Sequence, residues 1–460
     1  MSEPNWEQIR NPKIRDQVRY IWGEFRREGV AAELGESYDA NEAGGIDLGV
    51  ALSADGLSFM YAEGQILVQE NYLEKVQEIL GQPRVGLQDI RDAPKGSAPV
   101  EPLTGGVVVL QLPRGEDGKK VPALEALDRI DRTIGDGIAT PDQAITVSGG
   151  YGPCPATEPE EVYDGTEPFP AVAYGNGGAG ISVFVGDTGL LWYPGDQVKD
   201  YGPPAHPHRV VTNEGTVHPW LKGVRGTLDK LEDLTGGNVI QPYEGHGTFV
   251  AGVARCMAPA ADIFVANIFK VAGSTLESHL VRHLDAELAH GYDIFHLSIE
   301  APTRKDLPLI AFERWLRRVH EYKGVACVVS AGNSGYSLPT WPAAFPQVVS
   351  VGALAADWRS RALFSNYGPW VDVYAPGRDL VNAFAIGTYT CNTYPYNGQV
   401  RNFYGMAKWS GTSFSTPVVT GLIAARMSRT GENGREAAAA LLAEARANAI
   451  PGVGPVLLPY

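Results

Sequence analysis

The stretch that most constrains this chain is a segment of small and hydroxyl residues, Gly411 to Gly421, that leads into an apolar run. Its pattern predicts a tight turn that places Ser413 on the first turn of a buried helix. A helix N-terminus offers unpaired N–H groups and partial positive charge, which suits a nucleophile whose reaction develops an oxyanion. Taken alone, the pattern is also typical of an N-cap serine. A catalytic role therefore needs partner residues elsewhere in the chain.

Two such partners stand upstream. Asp187 ends the apolar run that begins at Ile181, as expected for a buried parallel strand that delivers an acid at its C-terminal edge. His246 stands between two glycines at the start of another apolar, small-residue helix. A serine becomes nucleophilic when a histidine takes its proton, and a carboxylate fixes the tautomer and orientation of that histidine.

With a fourth segment, Ser330 to Gly335, these residues resemble the active-site motifs of subtilisin-like serine proteases (subtilases, the S8 family), which share the chain order Asp, His, Ser. The resemblance covers residues 178 to 430 and implies an α/β fold, a parallel sheet flanked by helices. It also implies roles. Ser413 attacks the peptide carbonyl, His246 is general base and then acid, and Asp187 orients it. Asn333 and the Ser413 N–H hold the oxyanion.

The resemblance further implies a cleft in which an extended peptide adds as a strand between two edges of the chain. The substrate-binding residues that it assigns are Gly273, Ser298, Ile299, Glu300, Ala331 and Gly332. Ala331 and Gly332 are expected to line the pocket beside the scissile bond. Glu300 departs from the family, which usually has glycine at this position. Its carboxylate either favours a basic side chain in the substrate or points to water.

The chain before the catalytic part divides into three regions: an N-terminal helical arm and linker over 1–47, an α+β domain over 48–150, and a Gly/Pro-rich junction over 151–178. The catalytic domain then covers 179–460. Residues 13 to 28 predict an amphipathic helix, for which docking on its own protein is favoured over a membrane or partner surface.

The α+β domain shows the pattern β-α-β-β-α-β, a ferredoxin-like arrangement. Strands are expected over 65–68, 86–90, 106–112 and 143–147, and helices over 71–80 and 122–130. Its place before a subtilase domain resembles that of the family's propeptide, a folding chaperone and temporary inhibitor. The alternative is a permanent accessory domain. The junction resembles the segment at which relatives cut themselves.

Two insertions are expected in the catalytic domain, over 190–242 and 384–408, and both are placed at the rim of the cleft. The first contains His206, His208 and His218, whose irregular spacing favours a loop over a metal site. No calcium loop follows the histidine helix at Arg255. We therefore expect no metal and no cofactor.

Composition limits the partners and the compartment. The formal net charge of −15 argues against nucleic acid or an anionic membrane as a main partner. The four cysteines are widely spaced, which favours isolated thiols in a reducing compartment. The polar start has no apolar signal region, and no stretch approaches 18 apolar residues. These features predict a cytoplasmic protein without a membrane span.

The combined prediction is a serine endopeptidase that hydrolyses peptide bonds through an acyl-enzyme. Self-processing and the maturation of an intracellular peptide or protein are the roles to test. The second hypothesis is a latent or catalytically silent peptide-binding protein that its N-terminal domain regulates. A peptide or protein substrate is the predicted partner, and the sequence leaves the oligomeric state open.

Overall fold

The computed structural model describes residues 4–9, 12–33, 47–53, 56–84, 100–113, 121–147, 156–163, 165–191, 208–209, 218–229, 239–322 and 324–459. Several sequence-based expectations lie outside these residues: most of the linker before residue 47, the strand over 86–90, the first part of the junction, and His206 with much of the first insertion.

The helices are α1 Pro12–Glu33, α2 Leu73–Leu80, α3 Ala123–Ile134, α4 His246–Met257, α5 Glu277–Glu287, α6 Ile310–Glu321, α7 Thr412–Thr430 and α8 Gly434–Ala447. The strands of the N-terminal part are β1 Leu48–Ser53, β2 Gly56–Gln69, β3 Val100–Pro102, β4 Val107–Gln111 and β5 Ala139–Thr146. Those of the catalytic part are β6 Ser182–Asp187, β7 His208–Arg209, β8 Arg225–Gly226, β9 Val239–Ile240, β10 Asp262–Asn267, β11 Ser274–Leu276, β12 Ile294–Leu297, β13 Ala326–Ser330, β14 Val349–Leu354, β15 Val373–Pro376, β16 Leu380–Thr390 and β17 Val400–Trp409.

The catalytic part is built on one sheet with the strand order β15-β14-β13-β12-β6-β10-β8-β7. Neighbouring strands from β15 to β8 are parallel, and only the short edge pair β7–β8 is antiparallel. Parallel sheets need cover on both faces. Along β6, Val183 and Val185 pack on one side with α4 and α7, while Phe184 packs on the other with α5 and α6. The predicted parallel sheet flanked by helices is confirmed.

The N-terminal domain is a second, antiparallel sheet with the order β5-β2-β4-β3, and β1 pairs with β2. Helix α2 follows β2, and α3 lies between β4 and β5, so the elements run β-α-β-β-α-β after the additional strand β1. Alternate residues of these strands point to opposite faces. Ile66 and Val68 pack under α2 and α3, whereas Leu67 packs against the catalytic part.

The N-terminal arm docks on its own protein, as expected. Val18, Ile21 and Phe25 of α1 are buried in a cluster that includes residues of β1, β2 and β11. The Gln17 side chain also donates to the Tyr243 hydroxyl over 3.0 Å. The arm therefore contacts the N-terminal sheet and, through Tyr243, the segment just before α4.

The second insertion forms the long antiparallel hairpin β16–β17, and residues of the junction pair with its strands. Glu160 pairs with Lys408, Phe169 pairs with Val381, and the Ala156 N–H donates to the Ser410 carbonyl over 3.0 Å. The described part of the junction therefore begins, at Ala156, with a hydrogen bond to a residue three positions before the predicted nucleophile, Ser413.

Candidate active site

The carboxylate and the imidazole that were predicted to act together are in contact. Asp187 is the last residue of β6, and His246 is the first residue of α4. The His246 Nδ1–H donates to Asp187 Oδ1 over 2.7 Å, and both side chains are fully buried. This bond sets the tautomer, so that Nε2 is the nitrogen left to take a proton.

The glycines beside His246 allow α4 to begin this close to β6. Gly245 has φ of +79°, a conformation that side chains disfavour. A Cβ on Gly247 would lie 2.4 Å from the carbonyl oxygen of Gly189. Larger residues at either position would push the imidazole away from Asp187.

A further carboxylate, Asp229, supports this pair and was not predicted. Its Oδ2 accepts the Thr188 hydroxyl over 3.0 Å and the Gly245 N–H over 2.9 Å. Thr188 Oγ1 in turn accepts the Gly247 N–H over 3.2 Å. A negative charge is favourable at the N-terminus of a helix. Asp229 lies in the first insertion, outside any motif, so the sequence carries no signal for it.

The predicted nucleophile and oxyanion donor are also adjacent. Ser413 is the second residue of α7, and Asn333 follows β13. The Thr412 N–H and hydroxyl both donate to Asn333 Oδ1, over 2.8 and 3.0 Å. Because Thr412 donates twice to the oxygen end of the amide, the orientation of the group is fixed and Nδ2 is its donor end, as a role toward an oxyanion requires. Thr412 therefore orients Asn333, a role that the motif alone does not reveal.

A series of buried polar side chains is hydrogen-bonded to the backbone carbonyl of the predicted nucleophile. Pro417 has no N–H, so the Ser413 carbonyl lacks its usual helical donor. The Ser298 hydroxyl donates to that carbonyl over 2.9 Å. His296 Nε2–H donates to Ser298 Oγ over 2.9 Å, and its Nδ1 accepts the Thr420 hydroxyl over 2.8 Å. Burial lowers the pKa of His296 to about 3, so the ring is neutral.

The predicted catalytic groups are buried in the intact chain. Asp187, His246 and Ser413 are each 0% exposed. Within the described part of the chain, Ser413 Oγ and His246 Nε2 have no hydrogen-bond partner, so the bond from nucleophile to base is not formed. Such bonds are often loose without substrate and tighten in the reactive complex.

The chain itself occupies the two edges that were predicted to bind substrate. Thr146 exchanges backbone hydrogen bonds with Glu300, over 3.1 and 3.0 Å, and the Val147 N–H donates to the Gly273 carbonyl over 2.9 Å. The preceding residues of β5 pair with β11. The end of the N-terminal domain thus lies as an inserted strand where an extended peptide was expected.

The side chain of Glu300 does not point to water. It is 3% exposed, and its Oε2 accepts the Asn333 N–H over 3.1 Å. It also lies against Gly332, because a Cβ added there would be 1.6 Å from the same oxygen. Burial raises the pKa of Glu300 to about 8. The solvent-facing alternative is therefore wrong.

Among the described residues no group of three or more metal-ligating side chains lies together. In the same residues no helix combines the length and apolarity needed to cross a bilayer. Cys256, Cys327 and Cys391 are buried free thiols, and Cys154 lies outside the described residues.

Comparison with protein families gives a match that contains this site. The family model of Peptidase S8, the subtilase family, matches residues 178–453, more than half of the 460 residues. The chain belongs to the subtilase family. The matched range includes the catalytic sheet and both insertions, and it leaves out the N-terminal domain and most of the junction.

Curated relatives of this subtilase are proteinases. A thermophilic serine proteinase of Bacillus sp. (strain AK1) is 31% identical over 298 residues, which are 57% of this chain and 66% of the relative. M-protease of Shouchella clausii (strain KSM-K16) is 28% identical over 247 residues, 54% of each chain. This subtilase spans about half to two-thirds of the length of these relatives.

A solved structure, fervidolysin from Fervidobacterium pennivorans, a keratinolytic enzyme related to subtilisin, is similar with a TM-score of 0.51 at 19% identity. The similarity covers 87% of this chain and 60% of that chain. At this identity it supports the fold of the subtilase.

Proposed function

We propose that this subtilase is a serine endopeptidase whose first substrate is its own chain. The observation that carries the proposal is the strand at residues 144–147, which lies between the edges at Gly273 and Glu300 and leads toward Ser413. A peptide bound as an added strand gains affinity from main-chain hydrogen bonds. The same edges then serve any other peptide or protein substrate.

The proposed reaction is acyl transfer. Ser413 Oγ attacks the carbonyl carbon, and its proton passes to His246 Nε2, while Asp187 stabilises the imidazolium through Nδ1. Asn333 Nδ2 and the Ser413 N–H donate to the oxyanion. His246 returns the proton to the leaving amine, and water then hydrolyses the acyl-enzyme by the reverse transfers.

The strand register indicates which bond is cut. Thr146 lies opposite Glu300 in an antiparallel bridge. If a bound peptide continues this register, the residue two positions after Thr146 would pair with Ser298. Ser298 is bonded to the carbonyl of Ser413. We therefore expect cleavage between residues 148 and 149, at the start of the junction, with the N-terminal domain acting as a propeptide.

The burial of the triad favours a second candidate function. A chain that holds its own strand in the cleft and never cuts it would be a latent or silent peptide-binding protein, regulated by the N-terminal domain. The two candidates predict different products for the same purified chain.

Intact mass and N-terminal sequencing of the wild type and of Ser413→Ala separate them. We expect the wild type to be cut after residue 148 and the variant to stay full length. Uncut wild type that hydrolyses peptides would make the N-terminal domain a permanent accessory domain. Uncut wild type without peptidase activity would favour the silent alternative.

We also propose a cytoplasmic site of action and a role in maturing an intracellular peptide or protein. The free thiols of Cys256, Cys327 and Cys391, the cysteines among the described residues, are consistent with a reducing compartment. A cleavage-site profile across the proteome would test the role.

A further inference from the structure

The carboxylate of Glu300 lies in the gap between two segments that flank the reacting bond. One segment is the strand end 298–300, and the other is the turn 331–333. Glu300 belongs to the first and reaches the second, where it accepts the Asn333 N–H and lies against Gly332. The gap is thus filled by a side chain of the protein itself, and only 3% of that residue is exposed.

The register of the bound strand shows what this gap would otherwise hold. Thr146 pairs with Glu300, so a substrate residue that continued this register would pair with Ser298 and present its carbonyl to Ser413 and Asn333, which carry the predicted nucleophile and amide donor. Its side chain then projects toward the space between the strand end and the turn. The gap filled by Glu300 is therefore the pocket for the residue before the cleaved bond.

The chain gives two reasons to assign Glu300 a steric rather than a charge-pairing role. In the intact chain burial raises the pKa of Glu300 to about 8, and the Asn333 N–H offsets only part of that effect, so the group is largely neutral at pH 7. In addition, no lysine or arginine stands between Arg132 and Lys199. A self-cut at the junction cannot follow a basic residue.

The sequence at the expected cut agrees with a small pocket. Residues 148–150 are Ser148, Gly149 and Gly150, so the residue before the bond has a small side chain. We propose that Glu300 occupies the specificity pocket beside Gly332 and restricts the enzyme to substrates with glycine, alanine or serine before the cleaved bond. This proposal rests on the endopeptidase function proposed above.

The test measures kcat/KM of the self-processed protein on peptides that begin with Ala-Ile-Thr-Val, as in residues 144–147, followed by Ser, Ala, Lys or Phe. We expect the wild type to cut the Ser and Ala peptides at least 10-fold better than the Phe and Lys peptides. Glu300→Gly opens the pocket and should raise the Phe/Ala ratio by roughly 10- to 200-fold, the range for added methylenes in a pocket.

Glu300→Gln is the matched control, because it keeps the volume and removes the ionisable group. It should retain the preference for small residues. A wild-type preference for Lys that Glu300→Gln abolishes would overturn the proposal in favour of charge pairing. Equal rates for all four peptides in wild type would overturn it while leaving the endopeptidase intact.

A variant in the substrate segment covers the case in which Glu300→Gly does not fold. Ser148→Phe should slow self-cleavage at least 10-fold by intact mass, whereas Ser148→Ala should not. Unchanged cleavage of the Ser148→Phe variant at the same bond contradicts the small pocket. If the wild type cuts neither itself nor any of the peptides, the proposed endopeptidase function is wrong, and the pocket assignment is wrong with it.

Discussion

Asp142 is a buried carboxylate of the N-terminal domain that bonds directly to the catalytic part, so its replacement should weaken the hold of that domain. It is fully buried on β5. Its Oδ1 accepts the Ser278 N–H over 2.9 Å, and its Oδ2 accepts the Ser278 hydroxyl over 2.6 Å and the Gln65 amide over 2.7 Å. Ser278 lies in the first turn of α5, so a side chain of one domain caps a helix of the other.

The magnitude follows from these bonds. Loss of a capping side chain costs about 1–2 kcal/mol, and a hydrogen bond to a charged group contributes about 1.5–3 kcal/mol. Part of this loss is offset, because the Asp142 charge is one cause of the raised pKa of neighbouring Glu277. A net cost of about 2 kcal/mol for Asp142→Ala corresponds to a roughly 30-fold weaker hold of the cleaved domain.

The assay is peptidase activity of the self-cleaved protein over a dilution series, since activity appears as the N-terminal domain dissociates. We expect the half-activity concentration of Asp142→Ala to rise roughly 30-fold. The matched control is Asp136→Asn, on the same domain, whose carboxylate pairs with Lys305 at 2.6 Å in an exposed position. Exposed pairs contribute little. Equal shifts in the two variants, with both folded, would refute the capping argument.

Three further predictions concern the site and its surroundings. Asn333→Ala should lower kcat by roughly 10²- to 10³-fold with little change in KM. Thr412→Val should cause a smaller loss of kcat, because the backbone N–H of residue 412 still donates to the Asn333 side chain. A change confined to KM would contradict both roles. Burial and the Asp142 charge raise the pKa of Glu277 from 4.5 to about 8. Between these two pH values the folded state holds a proton that the unfolded state has lost, so the free energy of unfolding should fall as pH rises. Glu277→Gln should flatten that slope in denaturant titrations at pH 5 to 8. The Glu158 carboxylate accepts hydrogen bonds from the Tyr389 hydroxyl and from the N–H groups of residues 392 and 393 at the hairpin. Glu158→Ala should therefore lower the free energy of unfolding by on the order of 3 kcal/mol. An unchanged value would mean that these contacts of the junction add nothing to stability.

The sequence predicted the parts of this site that depend on chain order and local turns. A carboxylate at the end of an apolar strand, a histidine between glycines and a serine at a helix start each require a local conformation that few residues permit. The structure brings Asp187 and His246 into contact, and it places Asn333 beside the turn that carries Ser413.

What the sequence did not predict depends on side-chain directions and on distant packing. Asp229 lies outside every matched motif, and His296 lies in a matched strand that assigns it no role; the role of each follows only from which atoms the fold brings within hydrogen-bond distance. Glu300 was expected either to attract basic residues or to face water. Its backbone position was identified from the resemblance, but the turn of its side chain onto Gly332 follows from the missing Cβ at residue 332.

The position of residues 144–147 joins the proposed substrate and inhibitor roles in one segment. In the intact chain the strand is tethered to the cleft, and a short tether corresponds to a millimolar effective concentration. Peptides in solution compete poorly against it, which is consistent with a triad that is 0% exposed. Cleavage after residue 148 would remove the covalent link without removing Thr146, Val147 or the Asp142 cap. The strand and its domain then hold the cleft through non-covalent contacts alone, so activity should depend on protein concentration after the cut and not before it.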